Sequence, residues 1–286
     1  MTDFHVRTDL ALEAKESVEE KNAEVRGVRV EETYEEKTDI KITKVIIESK
    51  NGAKELGKPM GTYITLEAPN MAEPDEEYHS EISEELAKHV HELLPDTPEE
   101  LSMLVVGLGN RDVTPDALGP NVVNNMMITR HIIKEYGKAA YGKEQINQIS
   151  AIVPGVMAQT GMEASEIVKG VIEQTSPDVV IAIDALAARS TKRLNRTIQV
   201  TDTGIHPGSG VGNHRNAITQ ESLGVPVIAI GVPTVVDAAT IISDATAQPF
   251  QGNRELGNFY MTPKNIDETV KRLGYTISEA LNIALA

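Results

Sequence analysis

Two textures of apolar and polar positions divide the chain. In the first third, Arg26–Glu35 and Asp39–Ile47 read as strands, the second ending in the apolar run Val45-Ile46-Ile47. Asn51-Gly52 is a turn signal, and Thr62–Leu66 reads as a further strand. Ser80 is placed to cap a helix in which Ile82, Leu86, Val90 and Leu93 fall on one stripe. Beyond Pro95–Pro98, short apolar runs alternate with helical stretches. Met103–Val106 is a strand entering a glycine-bearing loop, with a helix expected over Asn121–Tyr136. Ile149–Val153 is a weaker strand, followed by a helix over Glu163–Gln174. Asp178–Asp184 carries the strongest buried-strand signal, and Thr197–Val200 reads as an edge strand. Pro226–Gly231 is another buried strand, and Thr234–Ser243 reads as helical. At the end, Thr262-Pro263 reads as N-cap and first helical residue. Ile266, Val270, Leu273, Ile277 and Leu281 form the stripe of the helix that follows.

Strands that are apolar on both faces need cover on both faces, so this alternation predicts a three-layer α/β fold with a mostly parallel sheet between helices. The residues up to 97 form an acidic N-terminal α+β portion, and residues 98–286 form the α/β core.

Charge sharpens the division. The formal net charge is −16; residues 1–100 carry 26 acids against 12 bases, and residues 101–286 carry 17 against 15. Such a field repels nucleic acid and favours a basic or flexible polypeptide partner, besides keeping the protein soluble. With no cysteine in the chain, disulfides, thiolate metal sites and a cysteine nucleophile are excluded. The N-terminus lacks the apolar stretch of a secretory signal, and no apolar run approaches the roughly 18 residues of a membrane helix. A soluble protein with no membrane contact is expected.

Ligands of parallel sheets bind beyond the carboxyl ends of the strands, so the candidate chemistry lies there. Gly107-Leu-Gly109 hints at a dinucleotide loop, but the position of the third glycine is Asp112, and no Walker sequence occurs. Asp184 closes an apolar run, and Asp116 lies in the loop after an earlier strand. If those strands are neighbours, the two carboxylates converge over one cleft. Close carboxylates do not both ionise, which yields an acid and a base able to activate water and protonate a leaving amine. On spacing alone each aspartate could equally cap a helix or turn. The glycine-rich segment Thr203–Arg215 contains His206, Ser209, Asn213 and His214. It can approach a substrate backbone closely, but Ser209 has no nucleophile-elbow context and no zinc spacing is present.

These segments resemble the germination proteases of spore-forming bacteria, which degrade small acid-soluble spore proteins. The matching stretches are Arg7-Thr-Asp-Leu-Ala-Leu-Glu-Ala, Gly61-Thr-Tyr-Ile-Thr-Leu-Glu-Ala-Pro, Val106-Gly-Leu-Gly-Asn, Val113-Thr-Pro-Asp-Ala-Leu-Gly-Pro, Ile183-Asp-Ala-Leu-Ala-Ala-Arg and His206-Pro-Gly-Ser-Gly-Val-Gly-Asn. The resemblance implies an atypical aspartic endopeptidase with a core similar to that of hydrogenase-maturation proteases. It puts the catalytic pair on Asp116 and Asp184. Asn110, Arg189, His206 and Arg215 are the candidate supporting or substrate-binding residues. A substrate glutamate would call for a cation, from Arg111, Arg189 or Arg215. No cofactor and no metal are expected.

The resemblance further implies a homotetramer in the spore core (a cytoplasmic location), made as a zymogen that removes its own N-terminal segment. Substrates of the family are cut after Glu and before Ile or Phe, with Ala following. Thr8-Asp9-Leu10-Ala11 imitates that pattern, so self-cleavage is expected between Asp9 and Leu10, making residues 1–9 a propeptide and 10–97 the acidic portion of the mature chain. Asp9 could instead cap a helix starting near Leu10. Two other readings differ in chemistry: a metal-binding maturation protease, with Asp116, Asp184 and His206 or His214 as ligands, and a catalytically silent relative that binds spore proteins.

Overall fold

A computed structural model describes residues 8–19, 26–97, 100–142, 145–207, 215–246 and 259–286. The strands are β1 (Val28–Glu35), β2 (Ile40–Ile47), β3 (Gly61–Glu67), β4 (Ser102–Gly107), β5 (Gln148–Ile152), β6 (Val179–Ala188), β7 (Thr197–Thr201), β8 (Val227–Asp237) and β9 (Tyr260–Met261). The helices are α1 (Ala11–Glu19), α2 (Lys50–Leu56), α3 (Glu76–Leu93), α4 (Leu118–Asn124), α5 (Arg130–Tyr136), α6 (Met157–Thr160), α7 (Ala164–Thr175), α8 (Gln220–Leu223), α9 (Ala238–Thr246) and α10 (Ile266–Ala284).

All the strands join one sheet in the order β1-β2-β3-β7-β8-β6-β4-β5, with β9 added on β8. The central strands β8, β6, β4 and β5 are parallel, and β7, β3, β2 and β1 continue the sheet antiparallel. The fold is therefore the expected α/β class, and the acidic portion shares its sheet with the core through the β3–β7 ladder. Side chains alternate across the sheet. Met103 and Val105 of β4 with Ile181 and Ile183 of β6 face α3, α4 and α10, whereas Leu104, Val106, Val180 and Ala182 face α7 and α8. Below the antiparallel strands, Val45, Ile47 and Tyr63 pack with Ala11 of α1 and Leu56 of α2. Those helices complete the two outer layers.

Several local expectations are corrected, each by a competing hydrogen bond or pairing. Asn51-Gly52 does not turn. Ser49 caps α2 by accepting the Gly52 N–H at 3.0 Å, and Gly57 ends the helix in the left-handed region. α3 starts ahead of Ser80 because Asp75 accepts the Tyr78 N–H at 3.1 Å. The helix expected over Asn121–Tyr136 is broken into α4 and α5. Between them the Met127 N–H donates to the Asn282 side chain of α10, and the Thr129 N–H to Ile149 of β5. β7 is an interior strand, paired on both sides, and not an edge. β8 runs on to Asp237 because β6 accompanies it as far as Val236, which leaves helix only from Ala238. Thr262 does not cap α10; its hydroxyl donates to the Thr234 carbonyl at 2.8 Å, and the helix begins at Ile266.

Candidate active site

Asp184 is not at a strand end, as expected, but inside β6, which continues to Ala188 with a bulge between Leu186 and Ala187. What ends there is the neighbour. Gly107, the last residue of β4, pairs with Ile183, so Asp184 is the first position of β6 beyond it. The carboxylate thus stands at the carboxyl edge of the parallel strands, 5% exposed, with one oxygen accepting the Ala185 N–H at 2.9 Å.

The loop leaving β4 brings Asp116 to the same edge. Thr114–Asp116 form a single 3-10 turn, and the Asp116 carboxylate accepts the Asn110 N–H at 2.8 Å. Thr234 of β8 holds the turn from the other side, its hydroxyl donating to the Pro115 carbonyl at 2.7 Å. The glycines of this region allow close packing. A Cβ on Gly107 would lie 2.4 Å from the Gly119 carbonyl oxygen, and one on Gly119 2.6 Å from that of Ile183. Their absence lets the Asp116 turn settle directly on β6, where the Leu108 N–H donates to Ile183 at 2.8 Å.

The two carboxylates feel one another. Burial pushes the Asp184 carboxyl well above the ordinary aspartate range, and the charge of Asp116 pushes it further; the Ala185 N–H and the Arg215 cation oppose this. Burial also raises Asp116, against the Asn110 N–H and Arg215. Such a pair shares protons as a unit, which supplies an acid and a base side by side.

A cavity of about 60 Å³, large enough for water, opens against β6, β7 and β8. Asp9, Lys58, Tyr63, Gln199, His206 and Gly231 are among its lining residues, and Gly231 lies opposite Asp184 in the β6–β8 ladder. Asp9 reaches β6 itself: its carboxylate accepts the Ala187 N–H at 3.0 Å, and its own N–H donates to the Ala187 carbonyl at 3.3 Å. Leu10 and Ala11 are fully buried. Glu13 of α1 accepts the N–H groups of Arg189 and Ser190 at 2.8 and 3.1 Å, bonds the Thr8 hydroxyl, and faces the Arg193 guanidinium at 3.5 Å.

Of the supporting residues expected from sequence, Asn110 holds Asp116 through its N–H, and Arg215 acts on both aspartates by charge. His206 lines the cavity. Arg189 meets the N-terminal segment through its backbone. Ser209, Asn213 and His214, like residues 1–7, lie outside the described residues. Sequence reasoning missed Lys58, Gln199 and Thr234. Gln199 carried a signal, being a lone amide in an otherwise buried strand; Lys58 carried none. Among the described residues no group of three or more His, Cys, Asp or Glu is placed to share a metal ion.

A profile of the germination protease family matches residues 6–251. The chain belongs to that family. A germination protease of Caldanaerobacter subterraneus is 46% identical, the match covering 98% of this chain and 94% of that one. One from Clostridium perfringens is 42% identical over 99% and 95%, and one from Priestia megaterium 48% identical over 85% and 67%. A NiFe hydrogenase maturation protease, HycI of Thermococcus kodakarensis KOD1, aligns with 68% of this chain and 98% of its own at 19% identity and a TM-score of 0.34. The family makes this germination protease relative a spore protease. Among the described residues no helix is long and apolar enough to cross a membrane.

Proposed function

We propose that the chain is an atypical aspartic endopeptidase whose catalytic pair is Asp116 and Asp184. The observation that carries this reading is the placement of a buried and a half-buried carboxylate, Asp184 and Asp116, each raised above its ordinary range and coupled by charge, at the carboxyl edge of the parallel strands. The ionised member takes a proton from water as it attacks the scissile carbonyl, and the protonated member gives its proton to the leaving amine. The chain has no cysteine to act as a nucleophile, and Ser209 lacks a nucleophile-elbow context.

The substrates are small acid-soluble spore proteins, cut after Glu and before Ile or Phe in the spore core, and the enzyme is a homotetramer made as a zymogen. Self-cleavage falls between Asp9 and Leu10. The acid–apolar–Ala order of Asp9-Leu10-Ala11 supports this assignment, as does the seating of Asp9 against β6 beside Asp184. The excess of acid in residues 1–100 suits a flexible substrate once it has left DNA.

The test is incubation of the Leu10–Ala286 form with a purified small acid-soluble spore protein, reading product masses. A cut after Glu that survives chelators and is lost in Asp184→Asn supports the reading. A stable complex with no new termini would make the chain a silent binder, and loss of activity to chelators would restore the metal reading.

A further inference from the structure

The seat of Thr8 and Asp9 has the features of a peptide subsite. Lys58 follows the left-handed Gly57 that ends α2, and among the described residues its ammonium donates to the main chain. Its Nζ donates to the Asp9 carbonyl oxygen at 2.8 Å and to that of Thr8 at 3.3 Å. Gln199 of β7 brackets the next bond: its Nε2 donates to the same Asp9 oxygen at 3.4 Å, while its Oε1 accepts the Ala11 N–H at 2.7 Å. The Asp9 side chain takes the Ala187 N–H at the bulge of β6. One acidic residue is thereby held at three points. Its carboxylate lies on a backbone donor, its carbonyl lies under a cation, and the chain two residues on is gripped by an amide. Asp9, Lys58 and Gln199 line the cavity together with Gly231, the ladder partner of Asp184.

A cation on two consecutive carbonyls is an unusual use of lysine, because burial costs the ammonium its hydration. Desolvation indeed lowers Lys58 below the ordinary lysine range, with the charges of Asp9 and Glu13 working against it. A merely structural tie to the chain could be made by a neutral donor such as Gln199. A full positive charge at a carbonyl oxygen becomes worth more when that oxygen turns negative.

We propose that this seat is the acyl-side subsite of the cleft, that Lys58 stabilises the oxyanion of the scissile carbonyl, and that the Ala187 N–H reads the acidic side chain before the cut. The ligand class is a peptide with a carboxylate side chain on the acyl side of the scissile bond, and Asp9 is its internal example. The inference rests on the endopeptidase reading above. In the step, water attacks the Asp9 carbonyl carbon and its proton passes to the ionised member of the Asp116–Asp184 pair. The oxygen takes up the negative charge against Lys58. The C–N bond then breaks as the protonated member gives its proton to the Leu10 nitrogen, leaving an Asp9 carboxylate and a Leu10 amine. When residues 1–9 leave, the same donors are free for the acidic residue of a second chain.

The test uses the full chain and its Lys58→Met and Lys58→Arg variants. It follows release of the segment ending at Asp9 by mass, and the hydrolysis of matched peptides with Glu or Gln before an Ile-Ala pair. Wild-type chain that cuts the Glu peptide, and loses this in Asp184→Asn, upholds the endopeptidase reading whatever Lys58 does. Failure there defeats that reading first. With it upheld, Lys58→Met is expected to lower kcat about 100- to 1,000-fold with KM for the Glu peptide changed far less, as loss of one oxyanion donor does. Lys58→Arg should recover part of the rate and shift the alkaline limb of the pH profile upward. The Gln peptide should be poor for every variant. Wild-type kcat in a folded Lys58→Met, or equal cutting of Glu and Gln peptides by wild type, overturns the proposal. If Lys58→Met does not fold, the alkaline limb of Lys58→Arg decides alone: an unmoved limb overturns it.

Discussion

Gly109 and Asp116 are in backbone contact: a Cβ on Gly109 would stand 1.9 Å from the Asp116 main-chain oxygen, and the glycine holds a φ of +107°. Both facts bar any side chain at this position. Gly109→Ala therefore has to displace the Asn110–Asp116 turn, breaking the N–H bond that orients the Asp116 carboxylate. A loss of about 1–3 kcal/mol in stability is expected, together with at least a tenfold fall in proteolysis. Gly224→Ala, at φ +79° with nothing near its Cβ, should cost only about 1 kcal/mol and leave turnover intact. Denaturant unfolding and a peptide-cleavage assay read both.

Asp116→Asn and Asp184→Asn should each lower turnover by about 100-fold or more while keeping the fold, since each removes one half of an acid–base pair without changing its shape. Circular dichroism alongside the cleavage assay checks this. Near-normal turnover in either variant would show that the pair is not catalytic.

Stability should depend on pH through Asp184 with a definite sign. Its folded pKa lies above the ordinary 3.8, so from about that pH upward the native state binds more protons than the unfolded chain. Stability then falls as pH rises through the window, because ionisation leaves a charge buried that the unfolded chain would hydrate. Asp116 acts in the same direction. Asp184→Asn should flatten this slope and raise the neutral-pH melting temperature by a few degrees. Melting curves of both proteins from acid to neutral pH measure it.

Arg193 gathers α1 onto the sheet, pairing Glu16 through both terminal nitrogens at 2.7 Å and Glu67 through Nε at 3.0 Å. Glu13, fully buried, faces the same guanidinium. Arg193→Met should cost about 2 kcal/mol, less than a wholly buried pair because Glu16 is partly exposed. Limited proteolysis should find Ala11–Glu19 cut well before the rest of the fold.

Much of this architecture is legible in the chain. Buried parallel strands read as continuous apolar runs, as in Val179–Ile183, and helices covering them show a stripe, as in α10 from Ile266 to Leu281. What sequence obscures is decided by distant partners. β7 passes for an edge because it is short, yet β3, over a hundred residues earlier, pairs with it. β8 passes for helix after Thr234 because nothing local shows that β6 runs alongside. The Asp116–Asp184 proximity follows from β4 and β6 being neighbours, which spacing leaves open. Lys58 is illegible for a further reason: a lysine after a glycine turn looks like any solvated one until the chain it grips is seen.

The burial of Leu10 makes the proposed self-cleavage a ratchet. Before the cut, the Asp9–Leu10 link is a neutral amide joining a half-buried residue to a fully buried one. Afterwards the same space would hold a fresh carboxylate and a fresh ammonium, and a low-dielectric interior rejects newly created ions unless they stay tightly matched. The Asp9 end is half-buried and can reach water, whereas Leu10 is fully buried ahead of α1 and its arginine clamp. Hydrolysis would thus expel its own blocking segment and could not be undone by re-docking it.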